Sequence, residues 1–125
     1  PNPFRQKLLE TLESRFGAIR RLEGSRSLFS IGSEAAVLYV RYSKLHDSKR
    51  TFFGLRETDL RRLEGRNSFI CLLVDDDSLP VFIPYSDFED IFKELGSGED
   101  GQYKVHLLFE PEGLELNIVG QGRFN

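Results

Sequence analysis

Residues Ser68–Val74, SFICLLV, form a nearly continuous apolar run of a length suited to one strand. Because it does not alternate, it reads as a strand covered on both faces, with a packing layer above and another below. The rest of the chain must supply those two layers.

Asn2-Pro3 offers a helix N-cap followed by Pro at the first helical position. Phe4, Leu8, Leu9, Leu12 and Phe16 recur at helical spacing and Gly17 supplies a stop, which predicts an amphipathic helix over 3–16. Its polar face carries Arg5, Lys7, Glu10, Glu13 and Arg15. Strands are expected at Ile19–Leu22, Leu28–Ile31 and Ala36–Ser43. The last of these presents Val37, Tyr39, Arg41 and Ser43 on one face and Leu38, Val40 and Tyr42 on the other. Thr51–Leu55 is expected to pair antiparallel with it. Glu57-Thr58-Asp59 opens a short helix in which Leu60 and Leu63 share a face, ended by Gly65.

Beyond the central run, Leu79–Tyr85 reads as a strand with Pro near either end, and Ser86-Asp87-Phe88-Glu89 as a capping box. The helix it opens should pack Phe88, Ile91, Phe92 and Leu95 and stop at Gly96. Residues 102–109 and 114–119 form a hairpin across Glu110-Pro111-Glu112-Gly113. The order predicts an α+β (mixed α/β) fold, with a mainly antiparallel sheet of about six to seven strands packed by an N-terminal helix and two further helices. A chain of 125 residues suits a single domain over 1–125. With no Met anywhere, it is expected to be a fragment of a larger multi-domain protein, with any effector domain elsewhere on the full-length chain.

Charge separates along the chain. Residues 1–66 hold 14 Lys and Arg against 8 Asp and Glu, a formal +6, whereas residues 67–125 hold 3 against 12, a formal −9. Arg outnumbers Lys 11 to 3 in the positive half, which suits planar, bidentate contacts to phosphate or guanine. No stretch approaches the roughly 18 apolar residues of a membrane span, so no membrane partner is expected. A single cysteine, Cys71, gives no internal disulfide, and the expected location is the cytoplasm. Cys71 itself should pack as a small hydrophobe.

Catalytic signatures are absent: the chain has no GxSxG, P-loop, GxGxxG, HExxH or CxxC. His46 and His106 lie far apart without ligand spacing. Asp75-Asp76-Asp77 reads as a solvated turn before it reads as a cation site. The informative stretch is Tyr39–Arg66, which places Arg41, Lys44, Lys49, Arg50, Arg56, Arg61, Arg62 and Arg66 among aromatic residues. The aromatics are expected in the core, since Phe52 and Phe53 cannot both point outward.

The helix–strand–strand order, with LFSI at Leu28–Ile31 and LYVR at Leu38–Arg41, resembles the core of the PD-(D/E)XK nucleases over roughly Phe4 to Phe92. The resemblance implies a metal-binding acid on the first of these strands and an acid, one residue and a Lys on the second. Ser30, Tyr39 and Arg41 stand at those positions instead, so the implied domain is a degenerate, non-cleaving relative, the DNA-recognition part of a bacterial restriction or defence protein.

The expectation is a DNA-binding domain that contacts phosphate, with a modified base as a further target, through Arg41, Tyr42, Lys44, Lys49, Arg50, Arg56, Arg61 and Arg62. It carries no catalytic residue, metal ligand or cofactor of its own. One alternative is a Mg²⁺-dependent endonuclease with an unorthodox site drawn from Glu13, Glu34 and Asp75–Asp77. Another is a protein-interaction module using the acidic C-terminal half, with a homo-oligomer among its partners.

Overall fold

The computed structural model describes residues 2–32, 36–44, 51–74, 80–111, 113–120 and 122–124. The first helix, α1 (Pro3–Phe16), begins as its sequence requires: the Asn2 side chain accepts the amides of Phe4 at 2.9 Å and Arg5 at 3.2 Å. At its far end Gly17 takes φ 103°, and its amide donates to the carbonyl of Glu13 at 3.1 Å.

Strands β1 (Ile19–Arg21), β2 (Leu28–Ile31) and β3 (Ala36–Ser43) then run as an antiparallel meander. The chain leaves that sheet for β4 (Phe53–Arg56) and α2 (Glu57–Arg61) and returns as β5 (Ser68–Val74), parallel to β3. The outer neighbour of β5 is β6 (Val81–Pro84), so the first sheet has the order β1-β2-β3-β5-β6. After a 3₁₀ turn at Tyr85–Asp87 comes α3 (Glu89–Leu95), followed by β7 (Gln102–Glu110), β8 (Gly113–Ile118) and β9 (Gly122–Phe124). The second sheet, β4-β7-β8-β9, is antiparallel throughout.

The architecture is α+β with three helices and mainly antiparallel pairing, but the single sheet of six to seven strands becomes two sheets, of five and four. The division comes from β4. Expected beside β3, it pairs with β7, because β3 is already hydrogen-bonded on both edges by β2 and β5. Phe53 and Leu55 serve the fold by facing the core from a second layer. The capping box at Ser86 does not form either. Residues Tyr85–Asp87 tighten into the 3₁₀ turn, and α3 starts after Phe88 with no side-chain cap.

The central run meets its expectation on both faces. Ile70, Leu72 and Val74 join Leu28, Val37, Tyr39, Phe53, Leu55, Val105 and Ile118 in one buried cluster. Cys71 and Leu73 join Leu8, Phe29, Leu38 and Val40 in another, under α1. A buried Leu or Ile contributes about 1.5–3 kcal/mol through burial alone, which makes β5 the strand on which both layers depend. Among the described residues no helix is long and apolar enough to cross a membrane.

Candidate nucleic-acid interface

The alternation of β3 sends Val37 and Tyr39 into the inter-sheet core and carries Arg41, two residues on, to the same face near its margin. There Arg41 is held rigidly. Its Nε donates to the carbonyl of Gly54 at 2.8 Å, its Nη1 to the hydroxyl of Ser27 at 3.1 Å, and its guanidinium lies over the Tyr39 ring at 5.7 Å. These acceptors are neutral, and Nη2 donates to no acceptor among the described residues.

Two more arginines converge on the β1–β2 turn that Ser27 closes. Arg5, on α1, donates through Nη1 to the carbonyl of Arg26 at 3.2 Å, and Arg62, just past α2, donates through Nη1 to the carbonyl of Glu23 at 2.7 Å. The turn has a tight interior: Gly24 sits at φ 86°, and the Ser25 hydroxyl accepts the Ser27 amide at 3.1 Å. Helix α1, strand β3 and the segment after α2 therefore each hold the same turn through an arginine.

Beside that turn lies an open groove of about 1310 Å³, lined by Arg5, Arg21, Arg26, Arg41 and Arg56 together with Glu23, Ser25, Ser27, Thr58 and Asp59. Pockets for small ligands run from about 300 to 1,000 Å³, so this groove exceeds their usual size. Among the described residues the ion pairs are Arg61 with Glu57 and Lys93 with Glu64 and Glu89. None of the five groove arginines forms an ion pair with a described carboxylate.

The floor is fixed by Tyr39, which is fully buried. Its hydroxyl accepts the Arg56 amide at 2.9 Å. Burial pushes the phenol up to about 12 and outweighs the opposing pull of Arg41. Tyr39 is thus a neutral hydroxyl committed to holding the β4–α2 corner. Ser30 is buried with its hydroxyl toward the Arg20 carbonyl at 3.5 Å. Among the described residues no three His, Cys, Asp or Glu gather as a metal site would require.

Of the eight residues expected to contact DNA, Arg41 and Arg56 line the groove and Arg62 holds its rim. Tyr42 points to the opposite face, stacked on Phe4 with ring centroids 5.9 Å apart. Lys44 is exposed at the end of β3 and is not part of the groove. Arg61 lies on the other side of α2, bonded to Glu57. Lys49 and Arg50 lie outside the described residues, as do Glu34, His46 and Asp75–Asp77 of the other readings. His106 is structural, its Nδ1 donating to the Thr51 carbonyl at 2.6 Å, and Cys71 is buried with its thiol pushed up to about 12 by desolvation.

Sequence reasoning missed Arg5, Arg21, Arg26, Ser27 and Asp59. The available signal was the bracketing of the Glu23-Gly24-Ser25 turn by Arg21 and Arg26, which places two cations at the base of one hairpin. No family model, curated protein or solved structure matches this chain.

Proposed function

We propose that this domain binds DNA through the arginine groove, as the recognition part of a bacterial restriction or defence-type protein. The observation that carries the reading is that five arginines line one groove and none has an ion-pair partner among the described residues. Five arginines against the two carboxylates of Glu23 and Asp59 leave the lining net positive, which draws a polyanion and lets it release its own counterions. Guanidinium forks match phosphate oxygens in geometry as well as charge.

The residues at the motif positions favour a grip over a cut. Phosphodiester cleavage by a metal needs carboxylates to hold the ion and activate water. The corresponding positions here carry the buried hydroxyls of Ser30 and Tyr39 and the anchored guanidinium of Arg41.

Fluorescence anisotropy with labelled duplex, single-stranded and base-modified DNA tests the reading. Affinity should fall steeply between about 50 and 200 mM salt, with a log–log slope of about −0.9 per phosphate neutralised on duplex DNA. Arg41→Ala and Arg56→Ala should each weaken binding, and Arg61→Ala, on the far side of α2, should leave it unchanged. Absence of binding to all three DNAs at the lowest salt would sink the proposal.

A further inference from the structure

Helix α2 is a wall shared by two cavities. Arg56, Thr58 and Asp59 face the arginine groove, and Glu57, Leu60, Arg61 and Glu64 face a separate cleft of about 300 Å³ between α2, α3 and β7. That volume lies at the small end of ligand-binding pockets and suits one ring system.

The charges around this cleft are paired from within. Glu57 is bonded by both the Ser97 hydroxyl and Arg61, and Lys93 reaches Glu89 at 3.4 Å and Glu64 at 3.6 Å. Three carboxylates against two cations, each cation already paired, leave no free positive charge for a phosphate. The cleft offers instead an apolar and aromatic floor, with Tyr85 and Phe92 rings near parallel and Tyr103 edge-on to Phe92.

One polar group on that floor stands apart. The Tyr103 hydroxyl donates to the Phe92 carbonyl at 2.8 Å, but the hydroxyl of Tyr85, a residue only 3% exposed, makes no hydrogen bond to any described residue. Among the described residues no fully buried side-chain oxygen lacks a partner, so the Tyr85 hydroxyl opens into the cleft, where it can exchange water for the polar edge of a ligand. Burial, reinforced by Glu64 and Glu89, pushes Tyr85 up to about 12, so it stays protonated and able to donate at neutral pH.

We propose that the α2–α3 cleft binds a neutral planar heterocycle bearing hydrogen-bond donors and acceptors on its edge, the chemistry of a purine or pyrimidine. The Tyr85 hydroxyl bonds its edge, and the outer lone pairs of Glu64 accept from an amino group. The ring comes from one of two sources: a free nucleoside, or a base turned out of a strand held in the arginine groove. Only the second source rests on the DNA-binding reading.

The experiment has two arms on the whole chain. In the first, adenosine, guanosine, cytidine and thymidine are titrated and followed by amide shifts at Glu64 and Gly96. At least one should bind saturably, about tenfold more weakly in Tyr85→Phe. Glu64→Gln, on the exposed rim, should weaken it as well and serves if Tyr85→Phe fails to fold. In the second arm, oligonucleotides carrying 2-aminopurine report an unstacked base by a rise in fluorescence. A rise on binding that Tyr85→Phe removes identifies a turned-out base, and nucleoside binding without a rise identifies the free ligand. The proposal is overturned if no nucleoside binds more tightly than about 1 mM and no fluorescence rise is seen, or if the folded variants bind as the parent does. Failure of the oligonucleotides to bind at low salt removes the groove reading alone, and the nucleoside arm still decides this one.

Discussion

The hydroxyl of Tyr39 accepts the backbone amide of Arg56 at 2.9 Å, which joins the middle of β3 to the corner where β4 becomes α2. Arg56 lines the groove and Tyr39 does not, so the phenol acts on the groove through the backbone. Tyr39→Phe keeps the ring beneath Arg41 and removes only the hydroxyl, leaving the Arg56 amide without that partner. The expected cost is about 1–3 kcal/mol of unfolding free energy, measured by urea denaturation. DNA affinity should fall in the same variant with its salt dependence unchanged, because no phosphate contact has been removed.

Three buried acids make the fold sensitive to alkali. Burial pushes Tyr39, Tyr85 and Cys71 each up to about 12, from ordinary values of 10.0, 10.0 and 9.0. A raised folded value means that the unfolded chain loses these protons first as the pH rises. The stability tied to them is fully present below about pH 9 and is lost as the pH climbs toward 12. Thermal melts from pH 8 to 12 should show Tm falling through that window, and Cys71→Ala should delay the onset of the fall. A flat profile to pH 12 would contradict the burial of all three.

Phe52 and Phe53 are neighbours with opposite roles. Phe53 is 1% exposed in the inter-sheet core, and Phe52 is 44% exposed beside His106. Phe53→Ala should cost about 3–5 kcal/mol, and Phe52→Ala well under half of that. Denaturant midpoints for the pair would test the register of β4. A shift by one residue would exchange the two values.

Much of the fold could be read from local pattern. Asn2-Pro3 and Gly17 mark the ends of α1, and SFICLLV requires cover on both faces of β5, as Cys71 and Leu72 demonstrate by joining different clusters. Pairing between distant segments was not legible. Nothing in Thr51–Leu55 records that both edges of β3 are occupied, so β4 was expected beside it and the basic residues of the two strands were expected together. The groove instead gathers Arg5, Arg21 and Arg26 from the first hairpin and helix with Arg41 and Arg56. Their order along the chain conveys total charge, and only the fold decides which cations share a surface. Tyr42 shows the converse, since alternation within β3 already separated it from Arg41.

Arg62 belongs to the groove's construction more than to its lining. Its Nη1 donates to the Glu23 carbonyl at 2.7 Å, and a Cβ on Gly24 would come within 3.6 Å of the same atom, so the guanidinium sits directly against the β1–β2 turn. That turn joins Arg21 to Arg26, two of the five groove cations. Replacing Arg62 by Met keeps the aliphatic stem and removes the tether, which should leave global stability within about 1 kcal/mol, as for loss of one exposed hydrogen bond. Hydrogen exchange at the amides of Glu23–Ser27 should accelerate in Arg62→Met while β5 amides stay protected. DNA affinity should drop with it. Arg26→Ala separates the two roles: it should weaken binding and reduce the salt slope by about 0.9, with exchange in the turn unchanged. Were Arg62 itself a phosphate contact, its variant would show that second pattern, and the three-arginine hold on the turn would have no part in binding.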